Sequence, residues 1–176
     1  MIRGQRVTLR ALQDGDVEVL RQWRNHPALF PLHFSTLPLS QIEQRRWYEH
    51  YSSGGSTVVW IIENEEGTPI GYTLIKNLDH KNRQAEIGLH LDPDFHGRGY
   101  GKDAFLTLMR FGFHELNLHR LYLEVFDFNE KAVRMYESLG FVTEGRRRET
   151  YFTQNAFHDV IQMSMLDHEF AAQYPD

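Results

Sequence analysis

The 176-residue chain contains no cysteine. That single absence excludes a disulfide framework, a thiolate metal site and a cysteine nucleophile. No apolar run approaches the roughly 20 residues that a membrane-spanning helix requires. The N-terminal stretch MIRGQRVTLRAL has no signal-peptide h-region and reads as a strand instead. Excess positive charge is missing too: the formal net charge is −5, which disfavours a general nucleic-acid binder. Repeats, low-complexity tracts and linkers are absent, so residues 1–176 are expected to form a single domain. Ten histidines invite a metal reading. None pairs with another at i, i+4 beside a suitable acid, and His114 and His119 straddle a helix-to-strand junction, so no metal is expected. What is present is ordinary for a globular chain, with 41% hydrophobic and 24% charged residues. A cytoplasmic enzyme fits these limits, with no membrane and no nucleic-acid partner.

One stretch organises the rest, Gln84 to Phe113. Ala85, Ile87, Leu89 and Leu91 alternate with Glu86, Gly88, His90 and Asp92, which is the period of a strand. Pro93 ends it. Gly97, Gly99 and Gly101 follow at every second position. The period then turns helical through Phe105, Leu108, Met109, Gly112, Phe113 and Leu116. Glycines entering a helix N-terminus make an anion site, because backbone N–H groups can close on a phosphate at the positive end of the helix dipole. The spacing fits neither a dinucleotide fingerprint, since Lys102 stands where the third glycine belongs, nor a Walker loop, since Asp103 follows Gly101-Lys102.

Pro93-Asp94-Phe95-His96-Gly97-Arg98-Gly99-Tyr100-Gly101 resembles motif A of the GNAT superfamily of acetyl-CoA-dependent N-acetyltransferases. His96 stands where the family usually has Gln or Arg. The family grips the coenzyme A pyrophosphate mainly through backbone N–H groups, so the exchange should be tolerated. It would tie affinity to pH near 6 to 7, since histidine titrates at about 6.5. A second stretch, Asn129 to Phe141, resembles the family's motif B, N-x-x-A-x-x-x-Y-x-x-x-G-F. Asn129, Ala132 and Tyr136 fall on one helical face. The resemblance covers Arg6 to Leu166. Its end is similar to spermidine and ribosomal-protein N-terminal acetyltransferases, and Trp23-Arg24-Asn25-His26-Pro27 is similar to acetyltransferases of amino sugars.

Periodicity gives the order β-α-α-β-β-β-α-β-α-β-β. The first strand is Arg3–Leu12. Asp14 and Asp16 are read as cap and first-turn acids of the first helix. Ser40-Gln41-Ile42-Glu43 is a capping box opening the second helix, which Ser52-Ser53-Gly54-Gly55 closes. Strands follow at Thr57–Glu63 and Ile70–Lys76. After the organising strand and helix come a strand Arg120–Phe126, a helix Asn129–Leu139 ended by Gly140, and a pair Phe141–Tyr151 and His158–Leu166 around Gln154-Asn155-Ala156. The fold class is α+β, a three-layer GNAT-like domain. Its mixed, mostly antiparallel, twisted sheet of about seven strands has helices on both faces. The resemblance adds that the two central strands splay apart, with motif A at 84–113 and motif B at 129–141.

The resemblance implies direct transfer of an acetyl group from acetyl-CoA to a primary amine, without a covalent enzyme intermediate. An amine of pKa about 10.4 must lose a proton before it attacks. Glu86, the one carboxylate within the strand, is the candidate base, directly or through water or His90. Tyr136 is the candidate acid for the leaving thiolate. Leu89, His90, Leu91, His96, Gly97, Arg98, Gly99, Tyr100, Gly101, Lys102, Asn129, Ala132 and Tyr136 are the expected coenzyme contacts. Trp23, Asn25, Phe34, Glu86 and Tyr151 are the expected acceptor contacts. Arg146-Arg147-Arg148 is either a solvated strand edge or an anion clamp. The loop Asn25–Leu39 contains no acid, whereas a polyamine wants carboxylates around it. The expected partner is therefore a small-molecule amine, an amino sugar first, or a peptide N-terminus, with spermidine or another polyamine as the alternative. A non-catalytic acetyl-CoA sensor is the competing class. The resemblance permits a homodimer.

Overall fold

The computed structural model describes residues 1–34, 37–52 and 55–175. Ser53 and Gly54, read as part of the segment closing the second helix, lie outside the described residues. So do Ser35 and Thr36 of the loop after the first helix. Two compact units divide the chain: Met1–Asn77 with Gly88–Leu108, and Leu78–Ile87 with Met109–Asp176.

The first unit opens on a correction. The expected single strand Arg3–Leu12 is two, β1 (Ile2–Arg3) and β2 (Thr8–Ala11), antiparallel with Ile2 opposite Leu9. A tight turn in which the Gly4 N–H donates to the Val7 carbonyl at 2.8 Å breaks the run. Among the described residues the strands therefore number eight, where about seven were expected. Asp14 and Asp16 form a short 3-10 turn, and neither carboxylate caps α1 (Val17–Asn25). Asp16 instead accepts both guanidinium branches of Arg10, at 2.7 and 2.8 Å, and the Gln13 N–H at 2.8 Å. A half-buried arginine outbids the helix end for that carboxylate. The capping box of α2 (Gln41–Ser52) is present as read. The Ser40 N–H donates to Glu43 at 2.8 Å, and the Glu43 N–H donates to Ser40 Oγ at 3.2 Å.

β3 (Val58–Glu63) joins β2 to β4 (Pro69–Asp79), all antiparallel. Leu20, Trp23 and Leu29 pack with Val59, Ile61 and Tyr72 in this unit's core. β5 (Gln84–Leu91) gives its last residues to the first unit and its first ones to the second. Its alternation holds at Ala85, Ile87 and Leu91, which are buried, with Glu86 and His90 half-buried, but Leu89 is half-buried too. Asp92 caps the turn that follows by accepting the Asp94 N–H. α3 (Tyr100–Arg110) then runs into a π turn at Phe111–Glu115.

In the second unit β5 pairs in parallel with β6 (Arg120–Phe126) through Gln84–Arg120, Ala85–Leu121 and Glu86–Tyr122. α4 (Glu130–Ser138) follows. β7 (Val142–Thr153) and β8 (Ala156–Leu166) form a hairpin whose β8 side pairs antiparallel with β6. Gln154 and Asn155, both at positive φ, are the two-residue turn matched to strand twist. The tail forms α5 (Asp167–Gln173). No helix among the described residues is long and apolar enough to cross a membrane.

Gly140 sits at φ +94° after α4, and its N–H donates to the Glu137 carbonyl. A Cβ there would come 2.0 Å from Gln173 Oε1 and 2.7 Å from Met165 Cε. Gly140→Ala meets both backbone strain and crowding, so it should destabilise the protein by about 1–3 kcal/mol in urea unfolding.

Candidate active site

The turn that carries motif A is built on backbone only glycine takes easily. Gly97 has φ +74° and Gly99 φ +87°, both left-handed. They lead into the first turn of α3, whose leading N–H groups a helix leaves without internal partners. Lys102 lies in that turn, at the positive end of the helix. The chemistry of this cradle fits a phosphate. His96, at the family's Gln or Arg position, turns its ring back onto its own segment, with Nε2 2.9 Å from the Leu91 carbonyl. Tyr100 is buried and donates its hydroxyl to Glu65 at 2.9 Å.

His90 belongs to a stacked column in the first unit. Its ring lies 4.3 Å from His33, nearly parallel, and 4.5 Å from Tyr72. Burial pushes the His33 imidazole down to about 4, and nearby Arg24 adds to it. His90 is held well below the ordinary histidine range by burial, then by His33, Arg24 and Lys76. Burial raises the Tyr72 phenol. All three rings are therefore neutral near pH 7. Arg24 lies over the Trp47 ring and donates to Gln44 at 3.1 Å.

Two expected acceptor residues have their polar atoms engaged in the fold. Trp23 is 5% exposed and its indole N–H donates to Asp92 at 2.9 Å. Asn25 accepts the Leu39 N–H at 2.7 Å and donates to its carbonyl at 2.8 Å, which ties the two ends of the loop together. Phe34 is half exposed. Sequence reasoning did not single out Tyr72 or give His33 a role in a column.

The second unit holds motif B. Asn129 caps α4, accepting the Ala132 N–H at 3.4 Å. Tyr136 faces inward at 8% exposure, and burial pushes its phenol up to about 12. It therefore keeps its proton throughout the neutral range. Glu86 lies on β5 opposite Tyr122. Tyr151 packs on Phe126 at 4.5 Å. Two members of the arginine run are paired, Arg146 with Asp159 at 2.9 Å within the hairpin and Arg147 with Glu124 of β6 at 2.5 Å. Among the described residues no group of three His, Asp or Glu could hold a metal ion.

A family model described as an acetyltransferase (GNAT) domain matches residues 6–142. The spermidine N(1)-acetyltransferase of Escherichia coli K12 is 28% identical over 168 residues, covering 96% of this chain and 90% of the relative. A prophage-derived N-acetyltransferase of Bacillus subtilis, itself uncharacterized, is 30% identical over 175 residues, covering 95% of this chain and 93% of the relative. Among solved structures, the spermidine N-acetyltransferase of Vibrio cholerae in complex with CoA and spermine superposes with a TM-score of 0.89. It is 28% identical, and the match covers 94% of this chain and 98% of that one.

The histidine column fixes a pH dependence. An unfolded chain protonates His33 near pH 6.5, whereas the folded one resists until about 4. Above 6.5 the two states bind equally; below it the unfolded state binds more protons, so stability falls with pH. The loss from His33 should reach roughly 3 kcal/mol below pH 4, with His90 adding in the same direction. Melting temperature should drop between pH 6.5 and 4, and His33→Phe should flatten that slope. A slope unchanged by the substitution would refute the assignment.

Proposed function

The chain belongs to the GNAT acetyltransferase family, and on that premise we propose that it acetylates a primary amine on a neutral or anionic molecule, an amino sugar first. The protein is an acetyl-CoA-dependent N-acetyltransferase. Its acceptor reading rests chiefly on one observation: the loop from Asn25 to Leu39 carries no carboxylate. Its His33 ring stacks on neutral His90, with cationic Arg24 nearby. A polycation would lose water there and gain no counter-charge. A peptide N-terminus fits the same charge requirement. The second reading, a polyamine acceptor, is favoured by relatives named as spermidine acetyltransferases that match over at least nine-tenths of both chains.

The residue roles follow from what the reaction demands. The backbone of Gly97 to Lys102 holds the pyrophosphate of acetyl-CoA, with main-chain groups of Leu89 and Leu91 along the pantetheine. Asn129 and Ala132 border the pantetheine from α4. Glu86 accepts the amine proton, directly or through water, before the nitrogen attacks the thioester carbonyl. The new C–N bond forms as the C–S bond breaks, and the sulfur leaves with the electron pair. Tyr136 delivers a proton to that thiolate. Its high pKa suits this step, because the phenol is protonated at any working pH. It can be reprotonated from solvent between turnovers. Glu86 with Tyr136 also weighs against a non-catalytic sensor, which needs neither.

Thiol release from acetyl-CoA should be read against a parallel panel of amino sugars and their nucleotides, alanyl and seryl peptides, spermidine and aminoglycosides. Amino-sugar or peptide turnover should exceed that of spermidine by at least tenfold. The reverse order would establish the polyamine reading.

Tyr136→Phe should lower kcat about 10²–10³-fold while leaving the calorimetric affinity for acetyl-CoA within about twofold. Equal losses in both would assign Tyr136 to packing alone.

A further inference from the structure

The motif A turn is held in shape from outside itself. Arg6, in the turn between β1 and β2, reaches the motif with one guanidinium branch, and Nη1 donates to the Arg98 carbonyl at 2.5 Å. Arg98 stands between the two left-handed glycines. The guanidinium plane lies over the Tyr100 ring, 4.3 Å from its centroid. Its Nε donates to Glu65 Oε1 at 2.7 Å, and the other oxygen of Glu65 accepts the Tyr100 hydroxyl at 2.9 Å. Arg6, Glu65 and Tyr100 thus form a closed triangle with the Arg98 carbonyl as its fourth contact.

Each corner is anchored by the fold. Glu65 sits in the β3–β4 turn, which Asn64 closes by accepting the N–H groups of Glu66 and Thr68 at 3.1 and 2.9 Å. Tyr100 is the first residue of α3. Arg6 is held by its backbone: the Asp103 carboxylate, one turn into α3, accepts three consecutive N–H groups, Gln5 at 3.1 Å, Arg6 at 2.7 Å and Val7 at 3.0 Å. The segment lies so close to α3 that a Cβ on Gly4 would come 2.5 Å from Thr107 Oγ1.

This arrangement is far more than an exposed ion pair requires. Arg6 and Glu65 have side chains 46% and 45% exposed, and a pair at that exposure adds little stability. Its geometry has a different use. A turn whose amides must converge on a phosphate loses affinity for every backbone conformer it samples while empty. Fixing the carbonyl between Gly97 and Gly99 removes the peptide flip most open to a turn of that composition. The carbonyl is also a negative dipole end, and binding it to a cation keeps it turned away from an incoming anion.

We propose that Arg6, braced by Glu65 and Tyr100 and seated by Asp103, is a positioning residue that pre-organises the Gly97–Gly101 turn for the coenzyme's pyrophosphate. The inference rests on the reading of that turn as the pyrophosphate site. Arg6 acts through the backbone of Arg98. Its effect should therefore appear in donor affinity, and only for donors that carry the pyrophosphate.

The test compares acetyl-CoA with S-acetylpantetheine, a thioester that ends before the pyrophosphate, on the full chain. Arg6→Ala should raise KM for acetyl-CoA about tenfold, leave kcat at saturating donor within about twofold, and leave KM for S-acetylpantetheine unchanged. Arg6→Lys keeps the charge but lacks the planar fork that reaches Glu65 and the Arg98 carbonyl together, so it should recover only part of the loss. Glu65→Gln, which weakens the brace without touching Arg6, should raise KM for acetyl-CoA about threefold and serves if Arg6→Ala fails to fold. Gly99→Val separates the two ideas. If Gly99→Val raises KM for acetyl-CoA and the Arg6 and Glu65 variants do not, the positioning role is wrong and the pyrophosphate reading survives. If Gly99→Val also changes nothing, both are wrong. If Arg6→Ala weakens both donors equally, the residue is a general structural support and the proposal is overturned.

Discussion

The candidate phosphate site of the first unit depends on a short piece of left-handed backbone. Gly97 and Gly99 take φ values that an L side chain pays to adopt, and they do so where β5 hands over to α3. A turn of this kind gathers amides at the positive end of α3 without a side chain in the way. Around it the fold supplies order that the glycines cannot. Asp92 caps the preceding turn, Asp103 grips the N-terminal segment, and Arg6 fixes the intervening carbonyl.

The two motifs were legible because their chemistry is local. Glycine spacing, the helical period after Gly101 and the Asn129–Ala132–Tyr136 face each follow from residues within one or two turns. The capping box at Ser40 and the Gly140 helix stop were legible for the same reason. The errors came where a hydrogen bond outside the repeating pattern decided the outcome. Asp16 looks like a helix cap until Arg10 is placed beside it. The run from Arg3 to Leu12 alternates like one strand, and nothing in the alternation announces the turn that Gly4 and Val7 close. The column of His33, His90 and Tyr72 joins residues from three separate segments, so no window of sequence contains it.

Charge and burial divide the labour between the rings. Tyr136 is buried so that it keeps a proton. His33 and His90 are buried so that they lose one. Desolvation drives both, with opposite chemical results because one acid is neutral when protonated and the other is charged. The stacked rings of His33, His90 and Tyr72 therefore carry no charge near pH 7.

His96 departs from the family pattern, and its contact with the Leu91 carbonyl says what kind of departure it is. A carbonyl only accepts, so Nε2 must carry the hydrogen. A neutral imidazole can present that hydrogen, and an imidazolium always does. The glutamine amide and the arginine guanidinium that the family motif usually has at this place are donors as well. The position therefore asks for an N–H aimed back along the chain, and three side chains of different charge can answer it.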